Sequence, residues 1–318
     1  MFERAERCVI AALLLVTALS LGLSALRGVP VAWHLYDVAL VFDLLFILLG
    51  QFYRSVRKNP VIASAATAVG LLLMTGQLLP VFNYLLLPYK YHGVDQLLAE
   101  IDAVFGFKWA PFADWMAQYP KLCAFLKTVY SSTFLQITGT IFLLGLIGRT
   151  VEVSRMMLAT FLSAAITICL WSLFPSSTPV AFQNLPADVA ATLQLTVDAK
   201  MGAELVRLSH EGVALVTPEG MLGMIGFPSF HTVMMLLVLW YMRVVPIVRV
   251  PVLIWNLFMI PAILLHGAHN LIDVFGGAAV AAASIWLAGR LAAAGEDMAA
   301  RSERADGQLM PTASDMSA

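Results

Sequence analysis

Residues 269–290, HNLIDVFGGAAVAAASIWLAGR, are almost entirely apolar and contain a single carboxylate, that of Asp273. Roughly 20 such residues are enough for a helix to cross the hydrocarbon core of a bilayer. The whole chain shares this character, because 60% of its 318 residues are hydrophobic and 12% are charged, against roughly 25% charged residues in an ordinary soluble domain. With a mean hydropathy of +0.83, the sequence predicts an integral membrane protein and disfavours a water-soluble enzyme.

The same pattern recurs along the chain and predicts an all-α polytopic membrane protein. Arg4 and Arg7 precede the first apolar run. That run, at about 18 residues, is longer than a signal-peptide core, so we interpret it as a membrane anchor. The eight predicted spans lie near residues 8–26, 34–53, 61–87, 122–148, 153–174, 228–248, 250–266 and 269–290.

Three segments outside the predicted spans differ from short turns. Residues 88–121 mix aromatic and charged side chains, as amphipathic helices at a membrane interface do. Residues 175–227 form a longer polar insertion with a helix-like stretch from Pro186 to about His210. The tail, residues 291–318, is rich in charge, Ser, Thr, Asp and Gly, and we expect it to be disordered.

The distribution of Lys and Arg predicts how the chain is oriented, since cytoplasmic loops carry an excess of both. With eight spans, 12 of the 19 basic residues share one face with both termini, and 7 lie on the other face. We therefore expect the termini in the cytoplasm and the two longer polar segments on the exoplasmic side. The net charge of −1 offers no basic surface for nucleic acid, so no such partner is expected.

Two polar clusters occur where predicted spans begin. The first is residues 226–232, GFPSFHT, and the second is residues 266–273, HGAHNLID. The predicted topology puts both clusters on the exoplasmic face at the same depth. Ionisable side chains at such positions are candidates for function.

The residue types in these clusters suit phosphoryl transfer. His269 and Asp273 are four residues apart, so on a helix the carboxylate could hold the Nδ1 proton and leave Nε2 free as a nucleophile. His231 could donate a proton to a leaving oxygen. Pro228 suits the first turn of a helix, and Ser229 with the first backbone N–H groups could cradle an anion.

Other interpretations of the same residues stay open. A histidine at the end of a span can serve only as an interfacial hydrogen-bonding residue. A metal site is a sharper alternative, because His266, His269 and Asp273 have the spacing H-x-x-H-x-x-x-D on one helical face. That alternative leaves the GFPSFHT segment without a role.

At these residues the sequence resembles the type-2 phosphatidic acid phosphatase superfamily, which includes lipid phosphatases and inositol-phosphorylceramide and sphingomyelin synthases. The family motif PSxH corresponds to residues 228–231, and its HxxxD to His269 and Asp273. The resemblance implies that His269 is a nucleophile that forms a phosphohistidine, that Asp273 orients it, and that His231 is the general acid. Further similar positions are Asp95, Asp102, Gly106-Phe107, Trp109, Phe174-Pro175 and Pro179.

The resemblance covers about residues 90–290 and implies an organisation for the chain. Residues 1–60 would form two N-terminal helices outside it. Residues 61–290 would form the catalytic core, a six-helix phosphatase-type bundle with an exoplasmic helical insertion. We expect the protein in a bacterial inner (plasma) membrane.

One departure from the family concerns the binding of phosphate. Phosphatases of the family carry Ser-Arg a few residues before the nucleophile, whereas this chain has Ala262 and Ile263. The synthase branch tolerates that loss. Arg207 is our first candidate for the missing cation because a guanidinium can bind phosphate through two donors, and Lys200 and then Lys90 are weaker ones.

The expected activity is thus phosphoryl transfer on a lipid phosphate or phospholipid, without a metal or other cofactor. The phosphohistidine would be resolved by water or by an alcohol acceptor such as a ceramide or polyol. The sequence leaves the acceptor, the headgroup and the oligomeric state open. Two other classes remain: a transporter that uses the intramembrane Asp43, and a non-catalytic lipid-phosphate-binding protein.

Overall fold

The computed structural model describes residues 3–89, 93–221, 223 and 225–309, with side chains as far as residue 292. These residues form fourteen α-helices and no named β-strand. The helices are α1 (Arg4–Arg27), α2 (Asp37–Ser55), α3 (Pro60–Leu85), α4 (Asp95–Val104), α5 (Trp109–Ala117), α6 (Pro120–Ser131), α7 (Thr133–Leu146), α8 (Thr150–Leu173), α9 (Ala187–Leu193), α10 (Ala199–Glu211), α11 (Phe230–Met242), α12 (Pro246–Leu257), α13 (Met259–His266) and α14 (Leu271–Leu309).

Within the described residues, six helical segments are long and apolar enough to cross a membrane. They are α1, α2, α3, α8, the segment Pro246–His266 that combines α12 and α13, and Leu271–Ala292 of α14. The pair α6 and α7, bent by 46°, would be a seventh span. The shorter apolar helix α11 has 13 residues, about 20 Å at 1.5 Å per residue. The prediction of an all-α polytopic membrane protein is confirmed.

The bend between α6 and α7 is a feature that the sequence analysis missed, since residues 122–148 were expected as one continuous span. Ser132 lies at the break, and its hydroxyl donates to the Val129 carbonyl at 2.6 Å. It also accepts from the indole N–H of Trp255 at 3.0 Å. A serine hydroxyl that bonds back to its own helix favours a bend.

Two further expectations differ from the structure. The helix-like stretch from Pro186 to His210 is divided into α9 and α10. Gln194, the residue that follows α9, has the left-handed conformation. The last helix continues to Leu309, where the sequence analysis expected a disordered tail from residue 291. Residues 310–318 of that tail lie outside the described residues.

Helix α3 lies at the centre of the bundle and packs against α1, α2, α7 and α8. Small residues let α2 and α3 approach closely: a Cβ on Gly50 would lie 2.1 Å from the Thr67 hydroxyl, and one on Gly70 would lie 2.6 Å from the Asp43 carbonyl. Such residues are typical of membrane helix interfaces. Between the same helices, Gln77 donates to the carboxylate of Asp43 at 2.5 Å.

A buried ion pair joins α1 to α2. Both terminal nitrogens of the Arg54 guanidinium, Nη1 and Nη2, donate to the Glu6 carboxylate, each at 2.7 Å. Glu6 also accepts from the Glu3 backbone N–H at 2.7 Å, and the Ser154 hydroxyl of α8 donates to the Glu3 carboxylate at 2.7 Å. This network fastens the first two helices to each other and to the core.

Replacement of Glu6 tests the importance of this network. Glu6→Ala should lower the free energy of unfolding by about 3–5 kcal/mol, because it leaves the Arg54 charge without its main partner. The matched control is Glu152→Ala, which removes an ion pair of 3.8 Å between half-exposed side chains and should change stability by less than about 1 kcal/mol. Thermal unfolding in detergent measures both, and equal shifts would contradict the prediction.

Candidate active site

The two polar clusters of the sequence meet in the structure. Ser229 caps α11, and its hydroxyl accepts from the Thr232 backbone N–H at 3.4 Å. The cap puts His231 in the first turn of that helix. The Ser229 backbone N–H donates to the Asp273 carbonyl at 3.0 Å, so the start of α11 is bonded directly to the start of α14.

Two glycines of α14 make this contact possible. A Cβ on Gly277 would lie 2.4 Å from the Ser229 carbonyl oxygen, and a Cβ on Gly276 would lie 2.4 Å from the ring of Phe227. Both distances are shorter than real Cβ contacts allow. The pair Gly276-Gly277 therefore sets how closely the segment before α11 approaches α14.

The expected contact between His269 and Asp273 is present, but its geometry differs from the prediction. His269 Nδ1 lies 3.2 Å from the Asp273 carboxylate, and both side chains are buried. Since α14 begins at Leu271, His269 precedes the helix instead of lying on one of its faces. Asp273 instead reaches back from the first turn and also accepts from the Asn270 backbone N–H at 2.8 Å.

This contact determines which nitrogen of His269 is available. A carboxylate accepts hydrogen bonds, so the proton of the neutral imidazole belongs on Nδ1 and the lone pair on Nε2. The other oxygen of Asp273 is buried and has no hydrogen-bond partner among the described residues. Asp273 therefore orients His269 so that its Nε2 could act as a nucleophile or as a base.

His231 lies beside an aromatic ring that the sequence analysis missed. Its imidazole stacks on the ring of Tyr130 with centroids 4.1 Å apart and planes at 17°. A Cβ on Gly267 would lie 2.7 Å from His269 Cδ2 and 3.1 Å from Tyr130 Cε2. Tyr130 therefore borders both histidines. A tyrosine in an apolar span is also typical of an ordinary core position, so no pattern in the sequence identified it.

The start of α14 is held by a carboxylate from a distant part of the chain. Asp102 of α4 accepts from the backbone N–H groups of Leu271 and Ile272 at 2.6 and 2.8 Å. These groups have no partner within their own helix, and a carboxylate there also interacts favourably with the helix dipole. Burial raises the pKa of Asp102, although both hydrogen bonds act in the opposite direction.

The end of the insertion is fastened beside α11 in a similar way. Asp95 accepts from the Ser177 backbone N–H at 2.6 Å, and the Ser176 hydroxyl accepts from the Phe227 backbone N–H at 2.6 Å. A Cβ on Gly226 would lie 1.8 Å from the Ser177 carbonyl, so only glycine fits there. Burial raises the pKa of Asp95.

His266 is separate from the other site residues. Its Nε2 lies 2.9 Å from the Cys123 carbonyl of α6, and its own carbonyl accepts from the Val197 backbone N–H at 3.0 Å. The described residues contain no group of three or more His, Cys, Asp or Glu that could hold a metal ion. The H-x-x-H-x-x-x-D spacing therefore does not form a three-ligand cluster in this part of the chain.

The two cationic candidates lie on α10. Arg207 forms ion pairs with Glu204 at 2.6 Å and Glu211 at 2.9 Å, and these carboxylates raise its pKa. Lys200 is exposed. In the described part of the chain, no hydrogen bond or ion pair joins either side chain to the two histidines or Asp273. Lys90 lies outside the described residues.

Two neutral donors adjoin the histidines in sequence. Asn270 follows His269 directly, and its side-chain Nδ2 is buried without a hydrogen-bond partner among the described residues. The hydroxyl of Thr232, next to His231, is likewise buried without a hydrogen-bond partner among the described residues. Buried polar groups normally find partners. Together with the first N–H groups of α11, they could hold the oxygens of an anion.

These features define a class: a multi-pass helical membrane protein with two histidines on adjoining helix starts, one of them oriented by a carboxylate. A family model described as the PAP2 superfamily matches residues 96–287, more than half of the chain. The chain therefore belongs to the PAP2 superfamily, the type-2 phosphatidic acid phosphatases that it resembles in sequence.

Members of this superfamily are generally phosphatases and act on lipid phosphates, so the membership indicates phosphatase or phosphotransferase chemistry on phosphate esters. Helices α1, α2 and α3 lie outside the match. A comparison with curated proteins found no match, and a comparison with solved structures found none either.

The close approach at Gly277 can be tested by adding one methyl group. Gly277→Ala should separate α11 from α14 and lower turnover of a lipid phosphate by about 10²-fold, because small displacements of catalytic groups are costly. Gly139→Ala is the matched control, since a Cβ on that helical glycine meets nothing within 4 Å. Similar activity of the two variants would contradict this account of the helix contact.

The carboxylate at the start of α14 gives a second test. Asp102→Ala should lower the free energy of unfolding by about 1–2 kcal/mol, as loss of a helix cap does, and should lower activity by displacing His269. Asp102→Asn, which keeps one acceptor oxygen, should have a smaller effect. Asp114→Ala, at an exposed site on α5, is the control, and an equal loss in that variant would refute the prediction.

Proposed function

We propose that this protein transfers a phosphoryl or phospho-headgroup unit from a lipid phosphate or phospholipid through a phosphohistidine on His269. The observation that carries the proposal is the buried 3.2 Å contact of His269 Nδ1 with Asp273, on a helix start that is bonded to the start of the helix bearing His231. Membership in the PAP2 superfamily supports the same chemistry.

The first step breaks the bond between phosphorus and the lipid oxygen. The lone pair of His269 Nε2 attacks phosphorus, and the lipid oxygen departs with the P–O electron pair and takes a proton from the imidazolium of His231. Asp273 holds the Nδ1 proton throughout and stabilises the positive charge that develops on the His269 ring. The products are the lipid alcohol and a phosphohistidine.

The second step releases the phosphoryl group. Water or an alcohol attacks phosphorus while the neutral His231 accepts its proton, and the bond to His269 Nε2 breaks. Water gives a phosphatase, and an alcohol gives a headgroup transferase. Both outcomes restore His269 and the imidazolium of His231.

Tyr130 supports the role of His231 in both steps. Its ring stacks on the imidazole with centroids 4.1 Å apart, which fixes the plane of the imidazole ring. A fixed plane matters because the proton must be aimed at the leaving oxygen. We therefore regard Tyr130 as a positioning residue for His231.

The phosphate oxygens would be held by Ser229, the first N–H groups of α11 and the side-chain Nδ2 of Asn270, which has no partner among the described residues. Arg207 and Lys200 remain proposed cationic partners from the insertion. Arg207 would first have to leave Glu204 and Glu211, so the neutral donors have the stronger structural support.

The absence of the Ser-Arg pair before His269 favours the transferase form of the proposal, of the inositol-phosphorylceramide synthase type. In that form a phospholipid headgroup passes to an alcohol such as a ceramide. We propose that the reaction needs no metal and takes place on the exoplasmic face, with the termini in the cytoplasm, as the distribution of basic residues predicts.

The transporter alternative has less structural support. Asp43, its proposed ion site, is buried and accepts a hydrogen bond from Gln77 on the neighbouring helix. That pairing is a common way to satisfy a carboxyl group between membrane helices. The other alternative is a non-catalytic protein that binds a lipid phosphate. Such a protein would bind the lipid without turning it over, so an activity assay distinguishes it from the enzyme.

The test is replacement of the nucleophile. Purified His269→Ala should turn over phosphatidic acid, or transfer the headgroup of phosphatidylinositol to ceramide, at least about 10³-fold more slowly than wild type. Its melting temperature should stay close to the wild-type value. His34→Ala, an exposed histidine outside the family match, should retain full activity.

Two results would contradict the proposal. Near-normal turnover in His269→Ala would exclude that residue as nucleophile. Loss of wild-type activity on addition of a chelator would contradict the metal-independent form of the reaction.

A further inference from the structure

A groove runs between α11 and α14, away from the histidines. It has a volume of about 750 Å³ and is lined by apolar side chains of both helices, among them Leu236, Leu239, Ala282 and Ile285. Small residues of α14 create the space between the helices. The groove is open to the side of the bundle where lipid chains would lie.

The groove ends at two arginine–tryptophan pairs. The guanidinium carbon of Arg243 lies 3.6 Å from the ring centroid of Trp240, and that of Arg290 lies 5.5 Å from the ring centroid of Trp286. All four residues line the groove. Tryptophan and arginine at the end of an apolar helix face are typical of the level of the lipid headgroups.

The charge at this end of the groove is not neutralised by a carboxylate among the described side chains, because neither arginine forms an ion pair there. The nearby Glu152 pairs with Arg149 at 3.8 Å. Arg243 also donates to the Trp240 carbonyl. The groove thus combines an apolar body with two positive charges at one end.

We propose that this groove binds an anionic phospholipid. One acyl chain would lie between α11 and α14, and the phosphate would be held by Arg243 and Arg290 through charge-assisted hydrogen bonds. An acyl chain matches the apolar lining, and a phosphate matches two guanidinium groups that share a groove.

The site is distinct from the reaction centre. Arg243 follows His231 by 12 residues and Arg290 follows Asp273 by 17, which corresponds to about 18 and 26 Å along the helices. The lipid would therefore belong to the leaflet opposite the proposed reaction. It would bridge the two helices whose starts carry His231 and Asp273.

Brominated lipids test the proposal, because bromine on an acyl chain quenches tryptophan fluorescence on contact. The full-length protein is reconstituted in phosphatidylcholine with a fixed fraction of phosphatidylglycerol, and only one of the two lipids is brominated at a time. A Trp240→Phe/Trp286→Phe variant supplies the signal of the other tryptophans. In wild type, brominated phosphatidylglycerol should quench the two groove tryptophans more per molecule than brominated phosphatidylcholine.

Three groove variants and one control assign the effect to the groove. Arg243→Gln and Arg290→Gln should each lower the preference for phosphatidylglycerol by roughly fivefold. Arg249→Gln removes an exposed charge from α12, close in sequence to Arg243, and should leave the preference unchanged. Ala282→Phe should reduce quenching by both lipids, because its ring fills the groove while both arginines stay.

The proposal is overturned by any of three results. The preference could persist in both Arg243→Gln and Arg290→Gln, or Arg249→Gln could lower it equally, which would indicate general surface charge. Bromine could also fail to quench the groove tryptophans in wild type, which would indicate another occupant such as a second copy of the chain. Melting temperatures of the variants show that the fold is intact.

Discussion

The candidate site depends on one backbone hydrogen bond, from the Ser229 N–H to the Asp273 carbonyl. It joins the start of α11 to the start of α14 at 3.0 Å, and Gly277 allows the two segments to come this close. His231 and the His269–Asp273 pair lie on either side of this contact. Helices α11 and α14 also pack against each other, but this bond fixes how their two starts, and so the histidines, lie relative to one another. In a low-dielectric interior such a bond is also costly to break, because both groups would lose their partner.

The residues that hold this contact come mostly from the polar segments between spans. Asp102 of α4 binds the first N–H groups of α14, and Asp95 with Ser176 fastens the end of the insertion beside α11. Each interaction satisfies backbone groups that lack partners in their own element. Helix α4 and the insertion therefore act as a frame around the two helix starts, and the family match, residues 96–287, includes both.

Much of the fold follows from composition alone, because about 20 apolar residues in a row have few alternatives to a membrane helix. The meeting of residues 228–231 with residues 269–273 could also be expected. Two predicted spans, residues 228–248 and 250–266, separate the two clusters, so the chain crosses the membrane twice and returns to the same face. The rest depends on contacts between residues far apart in sequence. The stacking of Tyr130 and the capping role of Asp102 leave no local pattern. Arg207 could be recognised as a cation, but its ion pairs with neighbouring glutamates depend on the rotamers that the folded helix selects.

In the proposed mechanism His269 carries the phosphoryl group during turnover. The most direct measurement mixes purified protein with a lipid phosphate labelled at phosphorus, stops the reaction in alkali, where phosphohistidine survives, and locates the label by peptide mass spectrometry. We expect phosphate on His269, no label in a His269→Ala variant, and loss of the label on acid treatment. Turnover without label on His269, or label on another residue, would contradict it.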